Sequence, residues 1–206
     1  IRRAVCGALV VLASGPLALL AGCLPSVCAF MEVAVGDAAE GVAKEAIEFW
    51  LVLVDSEDDV AYEALHAHVA SLSCACILRL TLTAAQLQAL REEEESQASG
   101  EKRVLLFKRS GRSGGGREDA DDNDQLKYTV RRRAALLLDN LASLFPHETA
   151  AAATPLIQER LQATADSVLA RPPLGIDASM GASENASLLR ESAMLALGAL
   201  AGGAQA

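Results

Sequence analysis

A chain of 206 residues can bury a sizeable core, and with 51% hydrophobic but only 3% aromatic residues that core is aliphatic, chiefly Ala, Val and Leu. A formal charge of −9 argues against a general nucleic-acid binder and favours encounter with basic partners. Long tracts lack both Pro and the alternating β-branched pattern of strands, which argues against a β fold.

The predicted elements are helices from the first residue onward. Ile1–Ser14 and Pro16–Val35 read as a pair divided at Gly15-Pro16. Another helix is expected from about Ala38 to Val54, with Val42, Ala46, Phe49, Trp50 and Leu53 on its buried face. After an acidic turn at Asp55–Asp59, a long partner is expected from about Val60 to Leu90. Arg91 to Asp124 is too polar to bury a helix face, with ten carboxylates and seven Lys or Arg, and reads as a disordered loop. Its acid blocks, Glu92, Glu93, Glu94 and Glu95, then Glu118, Asp119, Asp121, Asp122 and Asp124, flank a basic centre from Lys102 to Arg117. Helical pattern resumes from about Gln125 to Phe145, with a turn at Pro146. Thr154-Pro155 suits the first turn of a helix ending near Leu169. A loop at Arg171–Glu184 precedes a last helix, Ala186 to Ala201.

Four of these segments share one register. Starting at Ile1, Val42, Val130 and Leu189, each reaches a Leu eleven positions on, at Leu12, Leu53, Leu141 and Leu200. The fifth position is Val5, Ala46, Ala134 or Ala193, and the eighth and ninth are Ala8-Leu9, Phe49-Trp50, Leu137-Leu138 or Ala196-Leu197. Such spacing builds one apolar helix face. A helical unit recurring at the Ile1-to-Val42 interval predicts an all-α fold of the HEAT-repeat α-solenoid class, in which antiparallel helix pairs stack and bury their core between neighbours. Residues 1–90 are expected to hold two pairs, 91–124 the charged loop, and 125–206 one pair plus a further helix. Phe49, Trp50, Leu53, Leu138, Leu141 and Leu197 are the expected core anchors. A chain that opens at Ile1 inside a helical pattern and stops uncapped at Ala206 reads as a piece of something longer.

A competing reading takes Arg2-Arg3 and the apolar run from Ala4 to Leu24 as a leader, with Leu20-Ala21-Gly22-Cys23 as a lipoprotein-type cleavage site. The protein would then be secreted or lipid-anchored, and Asn185-Ala186-Ser187 a glycosylation acceptor. Against it, Gly15-Pro16 interrupts the run, and the segment aligns with three internal ones.

The chemical candidates are weak. Cys6, Cys23, Cys28, Cys74 and Cys76 form no C-x-x-C pair and are odd in number, which favours reduced, buried thiols. His66, His68, Cys74 and Cys76 could suggest zinc, but residues two apart on a helix point to different faces. Asp119, Asp121 and Asn123 imitate a calcium loop that then has Asp124 in place of Gly and Val130 in place of Glu. Gly114-Gly115-Gly116 lacks the residues of a phosphate-binding loop. Arg131-Arg132-Arg133 offers a phosphate or acidic-partner site, or, more ordinarily, ion pairs with Glu118–Asp124 or a neighbouring helix. The sequence calls for no catalytic residue, metal or cofactor.

The residues do carry a family resemblance. Ile1-Arg-Arg-Ala-Val-Cys-Gly-Ala-Leu-Val-Val-Leu resembles an A helix of the importin-β superfamily, transportin (karyopherin-β2) type, and Glu45-Ala46-Ile47-Glu48-Phe49-Trp50-Leu51 resembles that family's E-A-x-E-F-W-L segment. The helix with Arg131, Ala134, Ala135, Leu138, Asp139, Leu141 and Ala142 is similar to the one after the family's acidic loop. Pro146-His147 through Leu156–Glu159 is similar to its B partner, and Glu191-Ser192-Ala193 with Leu197-Gly198-Ala199 to the next A helix. The resemblance covers residues 1–56 and about 125–201, in order. It implies an internal fragment of a nuclear import receptor that shuttles between cytoplasm and nucleus. The implied partners are Ran-GTP, cargo with basic nuclear localisation signals and nucleoporins, with no direct nucleic acid and no membrane. It also implies that the acidic loop, Glu92–Glu95 with Glu118, Asp119, Asp121, Asp122 and Asp124, couples Ran-GTP binding to cargo release. A generic HEAT-repeat protein–protein scaffold is the alternative.

Overall fold

The computed structural model describes residues 1–17, 20, 22–56, 58–88, 91–92, 121–173 and 176–203, with the backbone alone for 121–129. Its principal helices are α1 (Arg2–Ala13), α2 (Leu24–Val35), α3 (Glu40–Val54), α4 (Asp59–Arg79), α5 (Asp121–Leu144), α6 (Pro146–Leu161), α7 (Ala165–Ala170) and α8 (Ala182–Gly203). The described residues include no strand, so the fold is all-α.

Two rows of helices make up the structure. In the first, α1 packs on α3, α3 on α5 and α5 on α8; in the second, α2 packs on α4 and α4 on α6. Each helix of the second row also lies against the following member of the first: α2 on α3, α4 on α5, α6 on α8. The four segments of the eleven-residue register therefore fall on α1, α3, α5 and α8, consecutive neighbours in one row. Ala46, Ala134 and Ala193, at the fifth register position, are fully buried. A methyl group there fills little space and lets the helices of a row come close.

The register is fully enclosed only in the interior helices. Ala46, Phe49, Trp50 and Leu53 of α3 and Ala134, Leu137, Leu138 and Leu141 of α5 are all at 0% exposure. Trp50 meets the edge of Phe49 with ring centroids 5.4 Å apart and tilts over His68 at 5.3 Å. At the ends of the row the face is covered on one side only. In α1 the buried stripe is displaced by one residue, to Cys6 and Ala13, leaving Val5 and Leu12 exposed. Leu197, expected in the core, is 39% exposed. Helix α8 buries Leu189, Ala193 and Ala196, and one further residue turns the side chain by about 100° away from that face.

Several boundaries depart from expectation for identifiable reasons. Helix α2 starts at Leu24, not Pro16, with Pro25 in its first turn. Before it, the Leu20 and Cys23 N–H groups donate to the carbonyls of Leu17 and Leu20, tight three-residue turns that tuck Leu17 and Leu20 into the core. Helix α4 ends at Arg79 instead of near Leu90. Helix restarts at 84–88 after a reciprocal cap, in which the Thr83 N–H donates to Gln86 Oε1 and the Gln86 N–H to Thr83 Oγ1. Helix α5 begins at Asp121, so Asp121, Asp122 and Asp124 belong to a helix and not to the loop. Pro155 lies inside α6, which starts at Pro146 and ends at Leu161, well short of Leu169. An interior proline costs a helix about 3 kcal/mol, offset here by packing of α6 on both α4 and α8. Helix α8 begins at Ala182, four residues before Ala186.

At the far end of the row, backbones approach closely. A Cβ on Gly203 would lie 2.3 Å from the Asp139 carbonyl oxygen, so only glycine lets α8 close on α5 there.

Enclosure of Trp50 and exposure of Leu197 set opposite expectations. Trp50→Ala should lower stability by about 3–5 kcal/mol, read by urea denaturation with helix circular dichroism. Leu197→Ala should cost about 1 kcal/mol or less. Equal losses would contradict this division between interior and edge.

Candidate functional site

The charged insertion is anchored next to the two rows. At its start, Arg91 pairs with Glu184 in the first turn of α8 at 2.7 Å, and Gln88 donates to Glu92 Oε1 at 2.9 Å. Glu92 is exposed; Glu93, Glu94, Glu95, Glu118 and Asp119 lie outside the described residues. The insertion rejoins the fold at Asp121, where α5 begins.

Beyond this point α5 carries the arginine triplet, and two of the three are spent on neighbouring helices. Arg131 pairs with Glu191 of α8 at 2.7 Å, and Arg133 with Glu48 of α3. Arg3 of α1 pairs with Glu45 of α3 at 3.6 Å. Among the described residues an ion pair thus bridges each adjacent pair of helices in the first row. Partly exposed pairs add little stability, about 0–1 kcal/mol each, but they favour one alignment of the row. Of the family-like E-F-W-L segment, Glu48 joins this ladder while Phe49 and Trp50 are core.

A cleft of about 580 Å³ opens where the amino end of α3, the carboxyl end of α4, α5 and the 176–178 loop meet. Glu40, Arg79, Arg131 and Asp177 are its charged walls, and Leu78, Val130 and Ile176 its apolar ones. Arg79 is committed to structure: its guanidinium donates to the carbonyls of Val35 and Asp37, satisfying groups left open where α2 ends. Asp177 accepts from the Ala84 N–H at 3.0 Å and from the N–H and hydroxyl of Ser179, and these bonds hold its carboxyl below the usual range.

Behind the cleft lies Arg160, at 0% exposure. Its guanidinium donates to the Ile77 carbonyl and to the hydroxyls of Thr81 and Ser192, tying α6 to the end of α4 and to α8. Burial pulls its pKa down to about 10. Nothing in the sequence marked Arg160, Arg79 or Glu40 out. Each is a charged residue in an otherwise amphipathic helix, and only the packing of distant segments brings its partners.

The other candidates disperse. His66 turns toward Glu148 of α6, whereas His68 is hydrogen-bonded to Glu32 of α2. The Cys74 thiol contacts the Ala152 carbonyl, and Cys76 is enclosed. The two histidines and two cysteines therefore do not converge. Asn185 is 2% exposed, and its amide donates to the carbonyls of Asp177 and Met180, which does not suit a surface glycosylation acceptor. The segment that a leader reading would remove supplies α1 with buried Cys6 and Ala13, then Leu17 and Leu20. Among the described residues one helix, Asp59–Arg79, has the length and apolarity of a membrane span, and it is the α4 that packs between α2 and α6.

Compared with the models of known protein families, the chain matches none.

Burial raises the thiol pKa of Cys28 to about 11 and of Cys76 to about 12, and also lifts Cys6 and Cys74. The thiolate is the reactive form, and Cys23 is the exposed member of the five. Iodoacetamide in mildly alkaline buffer should therefore modify Cys23 first and Cys76 last, read by peptide mass spectrometry. Early modification of Cys76 would contradict the packing around α4.

Proposed function

We propose that this chain is a segment of a transportin-type nuclear import receptor, a HEAT-repeat solenoid in which the charged insertion links Ran-GTP binding to release of basic cargo. The observation that carries it is the setting of the insertion. It joins the α4 side of the fold to α5, yet α4 packs on α5, and α3 on α5, as direct neighbours. A long charged segment hung on an unbroken helical row can reach partners without disturbing the array. The enclosed Phe49-Trp50 pair in the E-A-x-E-F-W-L segment supports the same reading, because the family-like residues are those that make α3 an interior helix.

In this mechanism no bond is made or broken. The acid blocks compete with basic cargo for the same solenoid surface, and Ran-GTP shifts that competition. The positive charge of Lys102, Arg103, Lys108, Arg109 and Arg112 offsets that of the acid blocks and weakens it. Such competition acts through screened charge, so it fades as salt rises above about 0.15 M, where the Debye length is near 8 Å. Partners are Ran-GTP, cargo bearing basic nuclear localisation signals, and nucleoporins; the protein shuttles between cytoplasm and nucleus.

Removing residues 93–120 from the full-length receptor tests this while leaving α5 its complete first turn. Cargo release on adding Ran-GTP should be impaired while affinity for cargo alone stays intact. Unchanged release would reduce the insertion to a spacer and overturn the proposal.

A further inference from the structure

The outer face of α5 carries a charge pattern that is its own complement, a feature independent of the import reading. Arg131 and Arg133 are spent on neighbouring helices, but Arg132 is exposed and forms no ion pair among the described residues. Asp139 is half-buried, and its carboxylate likewise has no hydrogen bond or ion pair among the described residues. Two helical turns, about 10 Å, separate the two charges, with Ala135 and Leu136 between them on the same face. Arg132 and Asp139 also border an open groove of about 550 Å³ between α5 and α8, whose apolar lining includes Leu136, Leu195 and Ala199. Leu136 is 49% exposed and Leu195 42%, so two large apolar side chains stand in water there.

A twofold axis perpendicular to α5, passing between Ala135 and Leu136, lays a second copy of the helix antiparallel on the first. Each Arg132 then meets Asp139 of the other copy, and each Leu136 lies over the other's Ala135, large against small. Helix α8 obeys the same axis. The Arg131–Glu191 pair and the close approach of Gly203 to Asp139 run α8 alongside α5 in the same direction. The point on α8 level with the axis is therefore Leu197, midway between Leu195 and Ala199, so Leu195 of one copy faces Ala199 of the other. A parallel pairing fails, because it sets Arg132 on Arg132 and Asp139 on Asp139. The formal charge of −9 on each copy opposes approach. At about 0.15 M salt that repulsion is screened beyond about 8 Å, so the matched pairs at contact decide.

We propose that the α5–α8 face binds a second copy of this chain, in an isologous dimer centred on two Arg132–Asp139 pairs. Self-complementarity names the occupant: the twofold supplies opposite charge at the required spacing, which an unrelated helix has no reason to match. Closing the two faces on each other also takes Leu136 and Leu195 out of water.

Sedimentation equilibrium of the 206-residue chain should show a dimer. Concentrations up to about 100 μM suffice, above the micromolar limit usual for interfaces of ordinary size. Arg132→Glu and Asp139→Lys each set like charges in contact and should each weaken dimerisation about a hundredfold. An equimolar mixture of the two variants restores opposite charge at both contacts and should form a heterodimer, which also shows that both variants fold. Leu136→Lys, at a half-exposed position, should abolish the dimer without reference to either charge. A monomeric parent would leave the face to a different protein and overturn the proposal. Species larger than a dimer would point to association through the open ends of the row and overturn it as well. Dimers insensitive to the two reversals or to Leu136→Lys, or a mixture that stays monomeric, would overturn the assignment to this face.

Discussion

The contact between α3 and α5 is the constraint on which the rest of the structure depends. These helices are separated in sequence by α4 and the charged insertion, yet they pack side by side. Ala46 and Ala134 keep the row close, while Phe49, Trp50, Leu53, Leu137, Leu138 and Leu141 are enclosed around them. Burying one large apolar side chain is worth about 1.5–3 kcal/mol, so a seam of six such residues outweighs what single surface ion pairs contribute. The ladder from Arg3–Glu45 through Glu48–Arg133 to Arg131–Glu191 then favours one alignment of a row that hydrophobic burial holds together.

The arrangement also leaves room beside the rows. An array whose core lies between neighbouring helices tolerates a long insertion between α4 and α5, because loop-closure entropy grows only slowly with length. The same junction gathers the amino end of α3, the carboxyl end of α4 and the 176–178 loop around a cleft of about 580 Å³.

The all-helical fold class was legible because aliphatic periodicity without aromatic or β-branched alternation admits little else. The register located the buried faces of α3 and α5, since interior helices bury the positions at which all four segments agree. It misassigned Leu197 and the stripe of α1 because a one-residue shift turns a side chain by about 100°, and the shared register does not fix that rotation. Boundaries failed where local capping competes with periodicity: at Thr83–Gln86 and at Pro25. Pro155 misled in the opposite sense, as tertiary packing carried α6 through it. The cleft was not legible at all, because its walls come from four segments far apart in sequence whose charged side chains look solvated when read one at a time.

The central claim is that α3 and α5 form the interior of a helical row whose ends are covered on one side only. Native-state amide hydrogen exchange, resolved by peptide, tests it most directly, since local opening is cheapest where buried contacts are fewest. Slowest exchange is expected in 42–53 and 130–142, with faster exchange in α1 and in the second half of α8. Uniform protection across all four helices, or exchange of 42–53 ahead of α1, would contradict it.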